Sequence, residues 1–539
     1  MQPSLPQNDK NTTERRNDLE KRRSKYQFNH DYVPPIPFLD HVPHEEWFSP
    51  RYTAERLKSA ADVPPNMLAT KAKQLWDPLD TLEEYDDLFV CLPKPGISKN
   101  YRSDESFGEQ RLSGANPMSV RRINRLPEGF GASDALMTAV LGRQASVEVE
   151  LKEGRLYFLD FPNLDHVKGG SWKGAQRYMP KPRAMFVWNP GKSRMEPVAI
   201  QLGGHGSKLF TPADPELDWF SAKLAVQIAD ATAQELGVHF AHTHVVMGPF
   251  AVVTNRQLAL HHPIHLMLKP HFRFMLHDNE LGRTQFIQDD GPVERMMAGT
   301  LEESITIAAR YYGDWSIQKA VFPTEIANRN MDDVDLLGHY PFREDGMKLW
   351  KATEQYVIDY LKLYYSSNED IANDYELQNW AEELAAKDAG CTAGMPERIE
   401  TMEQLVEIIT VVIYTCAPLH SALNFAQYEY IGYIPNMPYA AYHEIPENGG
   451  VDMEMLMKIL PPFDQASYQL KWTELLTSYK YDKYAHYDEK FEDPRAQALI
   501  ESFQATLDEI EKEIDRDNLS RPVAYKYFKP SEIINSINT

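Results

Sequence analysis

From Pro215 onward apolar residues recur mostly at helical spacing, so this part of the chain is expected to be chiefly α-helical. The clearest case begins at Asp493 and Pro494, a cap and a first helical residue. Leu499, Ile500, Phe503, Leu507, Ile510 and Ile514 then form one apolar stripe. A second run, from Glu403 through Leu405, Ile408, Ile409, Val412 and Ile413, is apolar enough to be a buried helix. Strand patterning is confined to a short region. VEVELKEGRLYFLDF from Val147 reads as a hairpin turning at Glu153 and Gly154, and MFVWNP from Met185 and PVAIQL from Pro197 continue a small antiparallel sheet. Residues 1–95 show no alternating strand pattern. They contain Pro-rich breaks at Val33 (VPPIPF) and Val63 (VPPNM), with amphipathic stretches such as RYTAERLKSA from Arg51. The fold class is therefore mainly α, with no internal repeat and no low-complexity tract.

Histidines add chemistry to this picture. Seven of the 17 lie between His239 and His271, and one metal ion cannot use them all. His239 and His244 are five apart, which places them roughly 140° apart on a regular α-helix. With i to i+5 bonding they would share a face, so a ligating pair predicts a π-distorted helix. His242 lies off that face and reads as a packing or hydrogen-bonding residue. His261, His262, His265 and His271 follow the Pro249 break and sit around Pro263 and Pro270; they read as residues that hold neighbouring segments together. Further ligands must come from elsewhere. His420 and Asn424 are four apart, on one face of an ordinary helix, and are either a satisfied polar pair or ligands. Pro418, two residues earlier, predicts a kink or bulge.

These residues carry a family resemblance. HxxxxH at His239 and His244, the continuation TNRQLxxxHPIHxxLxPH, and the distant LHxALNFxQYxYxGYIPNxP together resemble lipoxygenase. WFSAK from Trp219, DESFGEQRLSGANP from Asp104, HYPFREDGMKLW from His339 and DYELQNW from Asp374 match in the same order, so the likeness covers residues 96–539. It implies one large helical catalytic domain at 96–539 behind an N-terminal extension at 1–95. The small β-sandwich that precedes this domain in plant and animal members is not expected, and in this the chain resembles the compact bacterial, especially cyanobacterial, lipoxygenases.

The resemblance makes His239, His244, His420 and Asn424 iron ligands, with the main-chain carboxylate of Thr539 as the fifth. Such a set of neutral imidazoles and weak oxygen donors suits non-haem iron, and manganese would also fit. Thr539 departs from the isoleucine or valine that usually ends the family's chains. The apolar and aromatic approach YFKPSEIINSINT nevertheless suits a docked tail. Glu235 and Gln427 match positions that hydrogen-bond around the iron. Gly282 stands where members making R-hydroperoxides usually have glycine and those making S-hydroperoxides usually have alanine. Phe286 and Val293 match residues lining the cavity near the reactive carbon. The implied activity is insertion of O2 into a cis,cis-1,4-pentadiene of a polyunsaturated fatty acid, giving mainly R-hydroperoxides. Two alternatives keep the fold: isomerisation of hydroperoxides to epoxyalcohols, and lipid binding around a structural metal.

Composition narrows the partners. The net charge of −23, from 56 basic and 79 acidic residues, argues against nucleic acid. No uninterrupted apolar run reaches the ~20 residues of a membrane span, and MQPSLPQNDKNTTERR has no secretory core. Three widely spaced cysteines, Cys91, Cys391 and Cys416, point to a reducing cytosol rather than a disulfide framework. A cytoplasmic monomer is expected. One local exception is the basic cluster Arg15, Arg16, Lys21, Arg22, Arg23 and Lys25, which NTTE, led by Asn11 or Thr12, would cap as a helix. It reads either as a contact for an anionic membrane surface or as a solvated helix balanced by Glu14, Asp18 and Glu20.

Overall fold

The computed structural model describes residues 2–74, 79–204, 206–488 and 491–539. The N-terminal segment begins with helix α1 (Thr12–Lys25), a hairpin of β1 (Phe28–Val33) and β2 (Ile36–Leu39), and helix α2 (Pro50–Ser59). Helix α1 forms as expected, but without the predicted capping box. Asn11 makes no side-chain cap bond, and Asp9 Oδ1 instead accepts the Asn11 amide at 2.8 Å. Its basic cluster turns largely inward. Arg15 is buried against Glu376 (2.6 and 2.8 Å) and Asp9 (2.9 Å). Arg22 donates to the Leu258 carbonyl and Arg23 to those of Arg256 and the Gln257 side chain. Arg16, Lys21 and Lys25 are left outward, the last paired with Glu45. The prolines at 64 and 65 do not break the chain: they lie in the first turn of a helix at Val63–Gln74, where an amide is not needed. Leu5, Tyr26 and Ile36 join the same apolar core as Ile413 and Ile537, so the extension shares the core of the rest of the chain.

The main sheet is five-stranded and antiparallel. Its order is β3 (Arg121–Arg122), β4 (Leu156–Leu159), β7 (Arg183–Asn189), β8 (Arg194–Gln201), β9 (Leu209–Phe210), with Met185 opposite Ala199. A separate ribbon pairs β5 (Ser171–Trp172) with β6 (Ala175–Gln176). The hairpin expected at Val147 is only half present. Val147–Lys152 is a short helix, because Ser146 caps it by accepting the Val149 amide and fully buried Glu150 is fixed by Arg143 and Arg155. Gly154, at φ +67°, makes the turn into β4.

Helix α3 (Glu216–Gln257) and, later, helix α6 (Met402–Tyr430) are long and apolar enough to cross a membrane by length and composition. Both lie mostly buried inside the protein, and they touch where each departs from α geometry. Between them come helices α4 (Met275–Leu281) and α5 (Pro292–Met296). After α6 come helices α7 (Phe463–Thr477) and α8 (Pro494–Asn518). Asp493 caps α8, and Ile500, Phe503, Leu507, Ile510 and Ile514 are its buried face.

Candidate metal centre

The five-residue spacing of His239 and His244 is accommodated by a π-helix from Ala233 to Val245 within α3. Both rings point inward, with centroids 5.0 Å apart at 86°. His242 turns away, its Nε2 lying 2.8 Å from the Tyr311 carbonyl. In α6 a second π-turn, Thr415–Leu419, surrounds Pro418. A wider turn relieves the clash of a proline ring with the preceding carbonyl, and the helix resumes at His420. The His420 ring lies 5.4 Å from His239 at 23° and 5.0 Å from His244 at 73°. One ring nitrogen from each histidine lies within 4.8 Å of the other two, and all three residues are buried.

The donor set fits a metal. Nε2 of His244 and His420 are 3.2 Å apart, close to the about 3 Å between neighbouring nitrogens that each sit about 2.1 Å from one ion. His239 Nε2 and Asn424 Oδ1 are buried without a hydrogen-bond partner. Asn424 spends its amide on the Leu476 carbonyl and the Thr539 hydroxyl, both at 2.9 Å, which leaves the oxygen free. Burial, reinforced by the neighbouring imidazoles, holds His244 and His420 well below the usual histidine range. They are therefore neutral, the form that ligates.

The remaining predicted residues converge in part. Glu235 Oε2 lies 3.3 Å from His239 Nδ1, and the Gln427 amide lies 3.1 Å from the same nitrogen. Thr539 is buried at 2% exposure, and residues 533–538 ahead of it are fully enclosed. His271 Nδ1 lies 2.8 Å from the Asn535 carbonyl, so one histidine outside the cluster holds the tail. His261, His262 and His265 likewise hold segments: they meet Asp9, Asp374 and the Leu258 carbonyl. Gly282, Phe286 and Val293 lie on the segment that runs from the end of α4 into α5. Gly282 begins one helical turn after Asn279, and a Cβ built on it meets no atom within 4 Å. Phe286 packs edge-on against Trp472 at 4.6 Å, and Val293 is buried in the core.

Three residues that sequence reasoning missed support His244 from outside. Asn279 Oδ1 is 3.1 Å from His244 Nδ1, and the same amide donates to the His244 carbonyl at 3.0 Å. Asp278 Oδ2 stands 3.7 Å from that nitrogen and is paired in turn with Arg56 of α2 at 3.3 Å. Tyr52, on the same helix, donates to the Asn538 carbonyl. Asn279 was the findable one, since it lies three residues before the glycine of NELGR. A cavity of about 20 Å³ beside Asn279 is closed by Phe38 and Leu39 of β2, room for about one water-sized molecule.

A buried cluster of three imidazoles and an asparagine oxygen, carried on two π-distorted core helices, offers a donor set for a metal ion in a mainly helical protein. The chain belongs to the lipoxygenase family, whose model matches residues 57–527. It is 33% identical to mouse polyunsaturated fatty acid lipoxygenase ALOX12 over 471 residues, 85% of this chain and 70% of that protein. It is 31% identical to a linoleate 9/13-lipoxygenase of Pseudomonas aeruginosa over 481 residues, again 85% and 70%. The crystal structure of a coral 8R-lipoxygenase superposes with a TM-score of 0.91 at 26% identity, covering all of this chain and 83% of that one. The protein is a dioxygenase acting on polyunsaturated fatty acids, in a family that uses non-haem iron.

Proposed function

We propose that His239, His244, His420, Asn424 and the carboxylate of Thr539 hold one iron ion, and that the product is mainly the R-hydroperoxide of a linoleate- or linolenate-type acid. The observation that carries the metal assignment is the buried, partnerless pair His239 Nε2 and Asn424 Oδ1 beside two neutral imidazoles. Such atoms are costly to bury unless something fills the space between them. Manganese is the alternative metal, and metal analysis of the purified protein decides between them.

A redox iron held there would supply the electron acceptor for removing a hydrogen, as electron and proton, from the methylene between two cis double bonds; after O2 has added to the pentadienyl radical, the same electron and proton would return to give the hydroperoxide, with no external reductant. The chain's own residues do the positioning. Glu235 and Gln427 orient His239, while Asn279 orients His244 by accepting a hydrogen bond from Nδ1–H, which leaves Nε2 to ligate. The apolar walls of α3 and α6 exclude water from the site.

The open space beside Gly282 supports the R reading: oxygen can approach where a methyl group would stand. Gly282→Ala fits without strain and is expected to shift the product of linoleate oxidation towards S. Chiral chromatography showing S product from the parent enzyme overturns this stereochemical reading. Epoxyalcohol formation without oxygen uptake would favour the isomerase alternative.

A further inference from the structure

The last residue of the chain carries two kinds of oxygen, a carboxylate and a hydroxyl. The carboxylate is the proposed fifth ligand, while the hydroxyl oxygen lies 2.9 Å from Asn424 Nδ2. The same nitrogen lies 2.9 Å from the Leu476 carbonyl, in the last turn of α7, where carbonyls have no partner inside their own helix. A carbonyl only accepts, so this contact fixes which end of the asparagine amide is nitrogen. The amide has two N–H donors, and the two acceptors use both. Oδ1 is left buried without a partner, on the helix face that Asn424 shares with His420.

The hydroxyl matters because an amide can sit either way round. Turned over, Asn424 would present N–H donors to the three histidines, and a donor cannot hold a cation. A single bond to Leu476 would leave the other N–H buried and unpaired, a costly state that a swing of the side chain relieves. The second bond removes that incentive. The hydroxyl is in turn held in place by the docked tail: the Ile534 amide donates to Ser421 Oγ at 3.2 Å, one residue after His420, and the Ser536 hydroxyl donates to the Arg273 carbonyl at 2.9 Å.

We propose that the Thr539 hydroxyl is a positioning group for Asn424: by accepting the second hydrogen of the amide, it holds Oδ1 towards the three histidines, where a metal can use it. This rests on the metal reading of the site and goes beyond it. A terminal residue that served only through its carboxylate could carry any side chain of the same shape. Valine has that shape and no hydroxyl, so it would serve the carboxylate equally and leave the amide half bonded.

The test compares Thr539→Val with Thr539→Ser, which keeps the hydroxyl and gives up the methyl group. In anaerobic equilibrium dialysis of the full chain against graded chelator, Fe(II) affinity is expected to fall about tenfold in Thr539→Val, the factor that corresponds to 1.4 kcal/mol. Thr539→Ser should stay within about threefold of the parent. Co(II) loaded in place of iron reads the ligand itself: loss of the Asn424 oxygen lowers the number of ligands and strengthens the visible absorption, expected in Thr539→Val and not in Thr539→Ser. Equal affinity in Thr539→Val and the parent overturns the proposal, as does a loss as large in Thr539→Ser, which would assign the effect to packing. A second measurement needs no metal. In NMR of metal-free protein grown with isotope-labelled asparagine, the Asn424 side-chain amide is identified by its absence in Asn424→Ala. One of its proton signals should move upfield in Thr539→Val and hold its place in Thr539→Ser. Signals that coincide in the parent and both Thr539 variants overturn the proposal whatever metal the protein takes up. Failure of the metal reading alone shows instead as metal uptake unchanged by His239→Ala, with the amide shift in Thr539→Val intact.

Discussion

Replacing Tyr52 by phenylalanine should loosen the seat of Thr539 without touching a histidine. Tyr52 is fully buried, and its hydroxyl donates to the Asn538 carbonyl, one residue from the proposed terminal ligand. Phenylalanine keeps the ring contacts with Phe48 at 4.5 Å and Phe274 at 4.8 Å. What is lost is that buried hydrogen bond, about 1–3 kcal/mol when the acceptor stays enclosed, together with the one the hydroxyl accepts from Arg56 Nη1 at 3.2 Å. Among the described residues, Arg56 Nη1, 3.5 Å away, is the hydrogen-bond donor that remains for the Asn538 oxygen. The tail stays docked, because Ile533, Ile534 and Ile537 are fully buried and Asn535 donates to the Lys483 and His486 carbonyls, each at 3.0 Å. The loosening is therefore confined to the last two residues. A cost of that size corresponds to a metal affinity about 10–100-fold weaker, while Tm of the metal-free protein falls by only about 3 °C or less. The assay is equilibrium dialysis against graded chelator with metal counted per chain, beside thermal melts of the metal-free forms. Retention curves that superimpose on the parent's would refute the reasoning, since α2 would then be irrelevant to the centre.

Other outcomes follow from the same geometry. His239→Ala should abolish metal binding, whereas His242→Ala should keep full metal content and lose only the stability of its bond to the Tyr311 carbonyl, about 1 kcal/mol. Metal loss in His242→Ala would mean that the π-helix face has been misread. Gly237→Ala places a Cβ 2.7 Å from the Tyr311 ring and should cost about 1–3 kcal/mol, read as a lowered Tm; an unchanged Tm would show that the ring moves freely. Burial pushes the Asp482 carboxyl up to about 6 against the opposing hydrogen bonds from Asn535. Because its folded value lies above the ordinary 3.8, its contribution to stability is full below about pH 4 and is lost as pH rises through about 6. Between those limits Asp482→Asn should gain up to about 3 kcal/mol on the parent. A stability difference that does not vary with pH over that range would contradict the shift.

Features set by spacing within one helix were readable in the chain. His239 and His244, five positions apart, cannot share a face in α geometry, so a ligating pair demanded the π-helix that α3 contains, and Pro418 announced the second distortion in the same way. Features set by polar contacts between distant segments were not. The valines of VEVEL read as a strand because alternation was the only visible signal. The short helix there depends on Glu150 meeting Arg143 and Arg155, and no periodicity reports such pairs. The same limit hid Tyr52 and Arg56, which appeared only as part of an amphipathic helix, although Tyr52 and its acceptor at Asn538 are 486 residues apart. Arg56, meanwhile, reaches His244 only through Asp278. The ligands repeat in recognisable motifs because a metal dictates their identity and spacing. The groups that orient those ligands need only reach them in space, so any segment that packs nearby can supply them. Here α2 does so through Tyr52 and Arg56, which lie just ahead of residues 57–527, the stretch that the family model matches.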